Sequence, residues 1–106
     1  MEELVKQIVD FNTERDWDKF HTPENLAKSI SIEAGELLEC FQWNENYNKN
    51  DVCDELADVM TYCILMSLKL NIDLEEIIRE KLEISKVKYP VDKAKGRSTK
   101  YNKLED

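Results

Sequence analysis

Apolar side chains near the N-terminus fall at Leu4, Ile8 and Phe11, with Val5 beside them. This three-and-four spacing marks one face of a helix and predicts an element over residues 2–15. The aromatic-rich connector RDWDKFH follows. Thr22-Pro23 then offers an N-cap and a proline at the first helical position, opening a second helix that runs to about Gln42. Its core stripe is Leu26, Ile30, Ala34, Leu37 and Phe41. The asparagine-rich stretch WNENYNKN reads as a loop, after which Asn50 or Asp51 caps a third helix reaching about Leu70. From Val59 onward that helix is apolar around most of its circumference, as expected for the central member of a bundle or for a subunit interface. Asp73 with Glu76 makes a capping box for a fourth helix, which stops before Tyr89-Pro90 because the residue before proline disfavours helix. Residues 90–106 read as an extended tail. The expected fold is all-α, bundle-like with four helices, in a single domain over residues 1–106.

Two glycines and two prolines in 106 residues, with 42% hydrophobic content, fit an ordered helical domain. So small a domain buries a limited core, and broad apolar faces favour a homo-oligomer, a dimer or a tetramer. The formal net charge is -8, which repels nucleic acid and anionic membrane surfaces, so neither polymer nor bilayer is an expected partner. The charge is uneven: residues 1–85 hold 20 acids and 8 bases, whereas residues 86–103 hold 7 bases and 1 acid. An acidic body thus ends in a basic run before Glu105 and Asp106. Cys40, Cys53 and Cys63 form no CxxC pair and suit a reducing cytoplasm better than a disulfide framework. The sequence MEELVKQIVDF carries acids where a signal peptide needs positive charge, and the tract around Val59–Leu70 is too short to span a bilayer.

The chemistry concentrates in EAGELLE, residues 33–39. Residues three apart on a helix project side by side, so Glu33 and Glu36 form one acidic pair, and Glu55 and Asp58 form another on the next helix. Each pair borders its helix's apolar stripe. A lone ExxE is common on solvated faces; two at the core border of consecutive helices are not. If these helices are antiparallel neighbours, the carboxylates converge and need a counter-charge. Lys28 is the nearby lysine on the second helix, and the third has none before Lys69. Oxygen-only ligands without histidine suit Mg2+, with Mn2+ as an alternative, rather than zinc or copper. Glu39 projects further from the stripe and reads as the weakest member of the set, either solvated or a partner behind the ligands.

The spacing ExxE, an 18-residue gap, then ExxD resembles the signature of the all-α nucleotide pyrophosphohydrolases, the MazG-like and dCTP pyrophosphatase group. The blocks ERDW, FHTPENL, EAGELLECFQW, DELADVMTY, KYP and KGRSTKY follow, in order, those of the dCTP pyrophosphatase branch. That resemblance implies hydrolysis of a nucleoside triphosphate, dCTP or a related pyrimidine, to monophosphate and pyrophosphate, in pool control or removal of aberrant nucleotides. It assigns the metal ligands to Glu33, Glu36, Glu55 and Asp58, with Glu33 and Glu36 as catalytic candidates and Glu33 as general base. It also favours a tetramer built as a pair of dimers.

Base and phosphates need further partners. His21, Trp43, Tyr62 and Trp17 are the expected lining of a base pocket, and Lys88, Lys95, Arg97 and Lys100 are candidates for neutralising the outer phosphates. A di-iron carboxylate bundle is excluded, because it needs ExxH pairs and no histidine follows His21. An EF-hand fails for want of the central glycine and terminal glutamate in the asparagine loop. The rival from another class is a non-catalytic, metal-stabilised helical module for oligomerisation or partner binding.

Overall fold

The computed structural model describes residues 1–43, 46–98 and 100–103, with the side chain of Tyr101 left aside. Five α-helices are present among them and no strand: α1 (Glu2–Glu14), α2 (Pro23–Glu39), α3 (Lys49–Lys69), α4 (Leu74–Lys88) and the single turn α5 (Val91–Ala94). Short 3-10 turns occupy Asp18–Phe20 and Tyr101–Lys103. The all-α expectation holds. Asn44 and Glu45 in the predicted asparagine loop, Thr99, and residues 104–106 with their closing acids lie outside the described residues.

The chain divides into two compact units, Met1–Ile72 and Asp73–Asp106. In the first, α1 stops through a Schellman motif. Asp16 takes the left-handed conformation at φ +54, its N–H reaches Thr13 O at 3.1 Å, and the Trp17 N–H reaches Asn12 O at 3.0 Å. The hydrophobic contact that accompanies such a stop is the edge-on packing of Trp17 against Phe11, ring centroids 5.6 Å apart. Arg15 adds its guanidinium over the Phe11 ring, 3.7 Å from the centroid. Helix α3 ends the same way at Asn71, φ +53, where the Ile72 N–H bonds Ser67 O at 3.0 Å.

Thr22 caps α2 as predicted, its hydroxyl accepting from the Asn25 N–H at 3.2 Å with Pro23 in the first turn. The helix ends at Glu39 rather than Gln42, and Phe41 beyond it packs instead on Tyr47, rings 4.9 Å apart. The cap of α3 is Asn48, not Asn50 or Asp51. Asn48 sits in extended backbone and its Oδ1 accepts from both the Asn50 and Asp51 N–H groups, so the two residues expected to cap are the ones being capped.

Packing in this unit centres on α2 against α3. Leu26, Ile64 and Leu65 form its buried apolar centre, joined by the polar Asn12 and Ser67. Of the predicted α2 stripe only Leu26 is buried. Ile30 and Leu37 are half-buried, and Ala34 and Phe41 are exposed. Ile32, Leu38, Leu56 and Met60 also stand open to solvent, so α2 and α3 keep apolar faces that this chain alone does not cover.

In the second unit Asp73 caps α4, accepting from the Glu76 N–H at 3.0 Å as expected. Exposed ion pairs Glu75–Arg79 and Glu83–Lys86 follow along its surface. The tail after Pro90 is not extended throughout, because proline at the N-cap leads into the turn of α5. No helix among the described residues is long and apolar enough to cross a membrane.

Candidate active site

Rising numbers on α2 meet falling numbers on α3. His21, just before α2, packs edge-on against Tyr62 with ring centroids 6.4 Å apart; the Glu36 carboxyl lies beside that of Glu55; Cys40 lies in the field of Glu55 and Asp51. The two helices are therefore antiparallel neighbours. That arrangement turns both acidic pairs inward, and oxygens of Glu33, Glu55 and Asp58 lie within 4.8 Å of one another. Glu33 and Glu55 are half-buried, while Glu36 and Asp58 at the rim are exposed.

The electrostatics are those of uncompensated charge. Burial, hydrogen bonding with Glu36, and the charges of Glu36, Asp58 and Glu55 push the Glu33 carboxyl up to about 7. Glu55 is raised by burial first, then by the hydrogen bond with Glu36 and the charges of Glu36, Asp58 and Asp54. Cys40 is likewise raised, by burial and the nearby acids Glu55 and Asp51. Within the first unit no described lysine or arginine forms an ion pair with Glu33, Glu36, Glu55 or Asp58. The Oε2 atoms of Glu33 and Glu55 are buried without a hydrogen-bond partner. Oxygen donors gathered at this spacing, two of them orphaned, fit a divalent cation of the Mg2+ class.

Asp58 also lines a cavity of about 450 Å³, which ties the acids to a space of ligand size. Thr61, Tyr62 and Leu65 continue its α3 wall. Leu4, Gln7, Ile8, Phe11 and Asn12 of α1 face them, and Trp17 and His21 come from the connector. The Schellman stop of α1 delivers Trp17 here, and the helix entry at Thr22 delivers His21. The Nδ1 atom of His21 is buried and unpartnered.

Known proteins share this arrangement of sequence and fold. The profile of the MazG-like family matches residues 28–104. Over 98% of its length the chain is 30% identical to dCTP pyrophosphatase 1 of Mus musculus and 31% identical to that of Homo sapiens, covering 67% of each. A crystal structure of a pyrophosphatase from Archaeoglobus fulgidus matches with a TM-score of 0.80 at 40% sequence identity, over 85% of this chain and 92% of that one. The chain belongs to the MazG-like family. It is an enzyme of the nucleotide pyrophosphohydrolase class.

Within this MazG-like chain the structure brings together Glu33, Glu36, Glu55 and Asp58, and gathers Trp17, His21 and Tyr62 around the adjoining cavity. Trp43 is not in that wall; it stands 84% exposed beyond the end of α2. Lys88, Lys95, Arg97 and Lys100 belong to the second unit. Lys88 is half-buried, the other three are exposed, and Arg97 donates to Lys93 O at 3.4 Å. Glu39 is exposed, as its angle from the stripe predicts.

Sequence reasoning missed the α1 wall. The spacing of Leu4, Ile8 and Phe11 marks only a shared helix face, and the structure puts that face on the wall of the cavity, with Leu4 and Phe11 48% and 47% exposed. One signal was present: Asn12 sits four residues after Ile8, a polar side chain on the apolar face of the MazG-like α1.

Proposed function

We propose that this chain hydrolyses dCTP or a related pyrimidine nucleoside triphosphate between the α and β phosphates, releasing monophosphate and pyrophosphate with Mg2+ as cofactor and Mn2+ as its substitute. The observation that carries this is the meeting of the carboxylate cluster with an aromatic-walled cavity at Asp58. The dCTP pyrophosphatase 1 relatives supply the substrate class.

Glu33, Glu36, Glu55 and Asp58 would hold the metal, which when bound would offset triphosphate charge and make water more acidic. Glu33 takes the proton of the attacking water. With no cation present, burial and the neighbouring acids keep a proton on it near neutrality; with the cation bound it would be ionised and able to accept. Glu36 lies close enough to both Glu33 and Glu55 to raise both carboxyls and completes the acidic set around the cation. Asp58 stands at the junction where the α-phosphate passes from the acids to the cavity. Trp17, Tyr62 and His21 hold the base by stacking and edge contact, with Trp43 as a further aromatic. The basic run Lys88, Lys95, Arg97 and Lys100 neutralises β and γ oxygens, on grounds of charge.

The family match crosses from the first unit into the second, which supports reading residues 1–106 as one catalytic domain. Apolar residues left open on α2 and α3 support a homo-oligomer, a dimer or a tetramer formed from two dimers, measurable by light scattering. The free cysteines support a reducing cytoplasm. Incubation with Mg2+ and a panel of nucleoside triphosphates tests the reaction. Monophosphate plus pyrophosphate is expected; diphosphate plus orthophosphate, or no product, overturns it.

A further inference from the structure

At the end of the cavity remote from Asp58 stands a buried amide that the hydrolytic chemistry does not use. Asn12 is 7% exposed. It lines the 450 Å³ cavity together with a second one of about 240 Å³, and His21 and Leu65 are the other residues common to both walls. The second cavity runs on past Val9, Thr13, Leu68 and Lys69. Later residues of α1 therefore accompany later residues of α3, and Asn12 lies level with Leu65. From Asp58 to Leu65 is two turns of α3, about 10 Å. A nucleotide whose phosphates are held at the acids extends its base toward Asn12.

The orientation of this amide is fixed. Its Nδ2 donates to Ile8 O at 3.0 Å, and a flip would set Oδ1 against that carbonyl, acceptor to acceptor. Oδ1 is left without a donor among the described residues, in a wall shared with the unpartnered Nδ1 of His21.

We infer that Asn12 determines base specificity: its Oδ1 accepts a hydrogen bond from the 4-amino group of cytosine and rejects the 4-keto oxygen of uracil or thymine. Cytosine presents that amino donor beside the N3 acceptor, so His21 with its proton on Nδ1 completes the pair. Uracil presents oxygen where Asn12 needs a donor. An asparagine free to rotate would read both bases; one tied to Ile8 reads only the first. A buried acceptor facing another acceptor weakens binding by about tenfold to a hundredfold.

The inference rests on the pyrimidine reading of the cavity given above, and its test is independent of turnover. Binding of dCMP and dUMP is measured by calorimetry with Mg2+ present, for the wild type and for Asn12→Ala. The wild type should hold dCMP at least about tenfold tighter than dUMP, and the variant should bring the two within about threefold through loss on dCMP. Equal wild-type affinities, binding of neither nucleotide, or an unchanged ratio in a variant with native circular dichroism overturns the assignment. On the wild type itself, the 2-pyrimidinone analogue of dCMP, which lacks the amino group, should lose about tenfold in affinity relative to dCMP; undiminished binding also overturns it, whether or not Asn12→Ala folds. Absent triphosphate turnover would count against the hydrolytic reaction while leaving these ratios readable.

Discussion

Replacing Glu33 by glutamine should stabilise the metal-free protein while removing its response to metal. Glu33 is held at about 7 against an ordinary 4.5, so its ionised form opposes folding. A displacement of that size corresponds at full strength to about 3 kcal/mol. Solvent reaches this half-buried group, and screening reduces the effect to about 1–2 kcal/mol. For a chain of 106 residues that is a rise of roughly 4–9 °C in Tm. The sign follows from linkage. Because the folded value lies above the unfolded one, the penalty is fully present above about pH 7 and fades as pH falls toward 4.5. Thermal unfolding in EDTA at pH 8 should show Glu33→Gln above the wild type, with the gap closing at pH 5. With saturating Mg2+ the wild type should rise and the variant should not. A variant less stable than the wild type at pH 8 in EDTA, or a gap independent of pH, would refute the picture of crowded, uncompensated acids.

Other outcomes follow from named contacts. Asp58→Ala should lower kcat by about a hundredfold or more with helical content retained in metal, read by pyrophosphate release against circular dichroism. Mg2+ binding at pH 7 should release about half a proton from Glu33, nearly one at pH 6 and almost none at pH 9. Calorimetry in buffers of different ionisation enthalpy measures this, and identical release at pH 6 and pH 9 would contradict it. Asn48→Ala strands two N–H groups at the start of α3 and should cost about 1 kcal/mol, seen as a lower Tm in EDTA and in Mg2+ alike.

The helices were legible because their signals are local. Thr22-Pro23 and Asp73 with Glu76 act within one turn, and both caps form as their side chains dictate. The carboxylate cluster was legible because spacing on each helix and one antiparallel pairing suffice to place it. The α3 cap was misassigned because Asn48, Asn50 and Asp51 compete for one role, and the winner is set by where the incoming chain stays extended. The α1 wall was hidden for a different reason. An apolar stripe has the same period whether it meets a core or a ligand, so Leu4 and Phe11 carry no mark distinguishing the two. The α2 stripe was overrated on the same ground, since periodicity reports which side chains share a face and not whether this chain alone covers it.

The acids sit on α2 and α3, whereas much of the cavity's opposing wall comes from α1 and from the residue its left-handed stop throws forward, Trp17. On the proposed reading, cleavage would rest on α2 and α3 alone, whereas the base would meet side chains from three stretches of the polymer: α1, the connector with Trp17 and His21, and Tyr62 of α3. Substitutions in α1 would then alter the admitted nucleotide without touching any acid of the cluster, which leaves that helix free to vary among relatives of different diet.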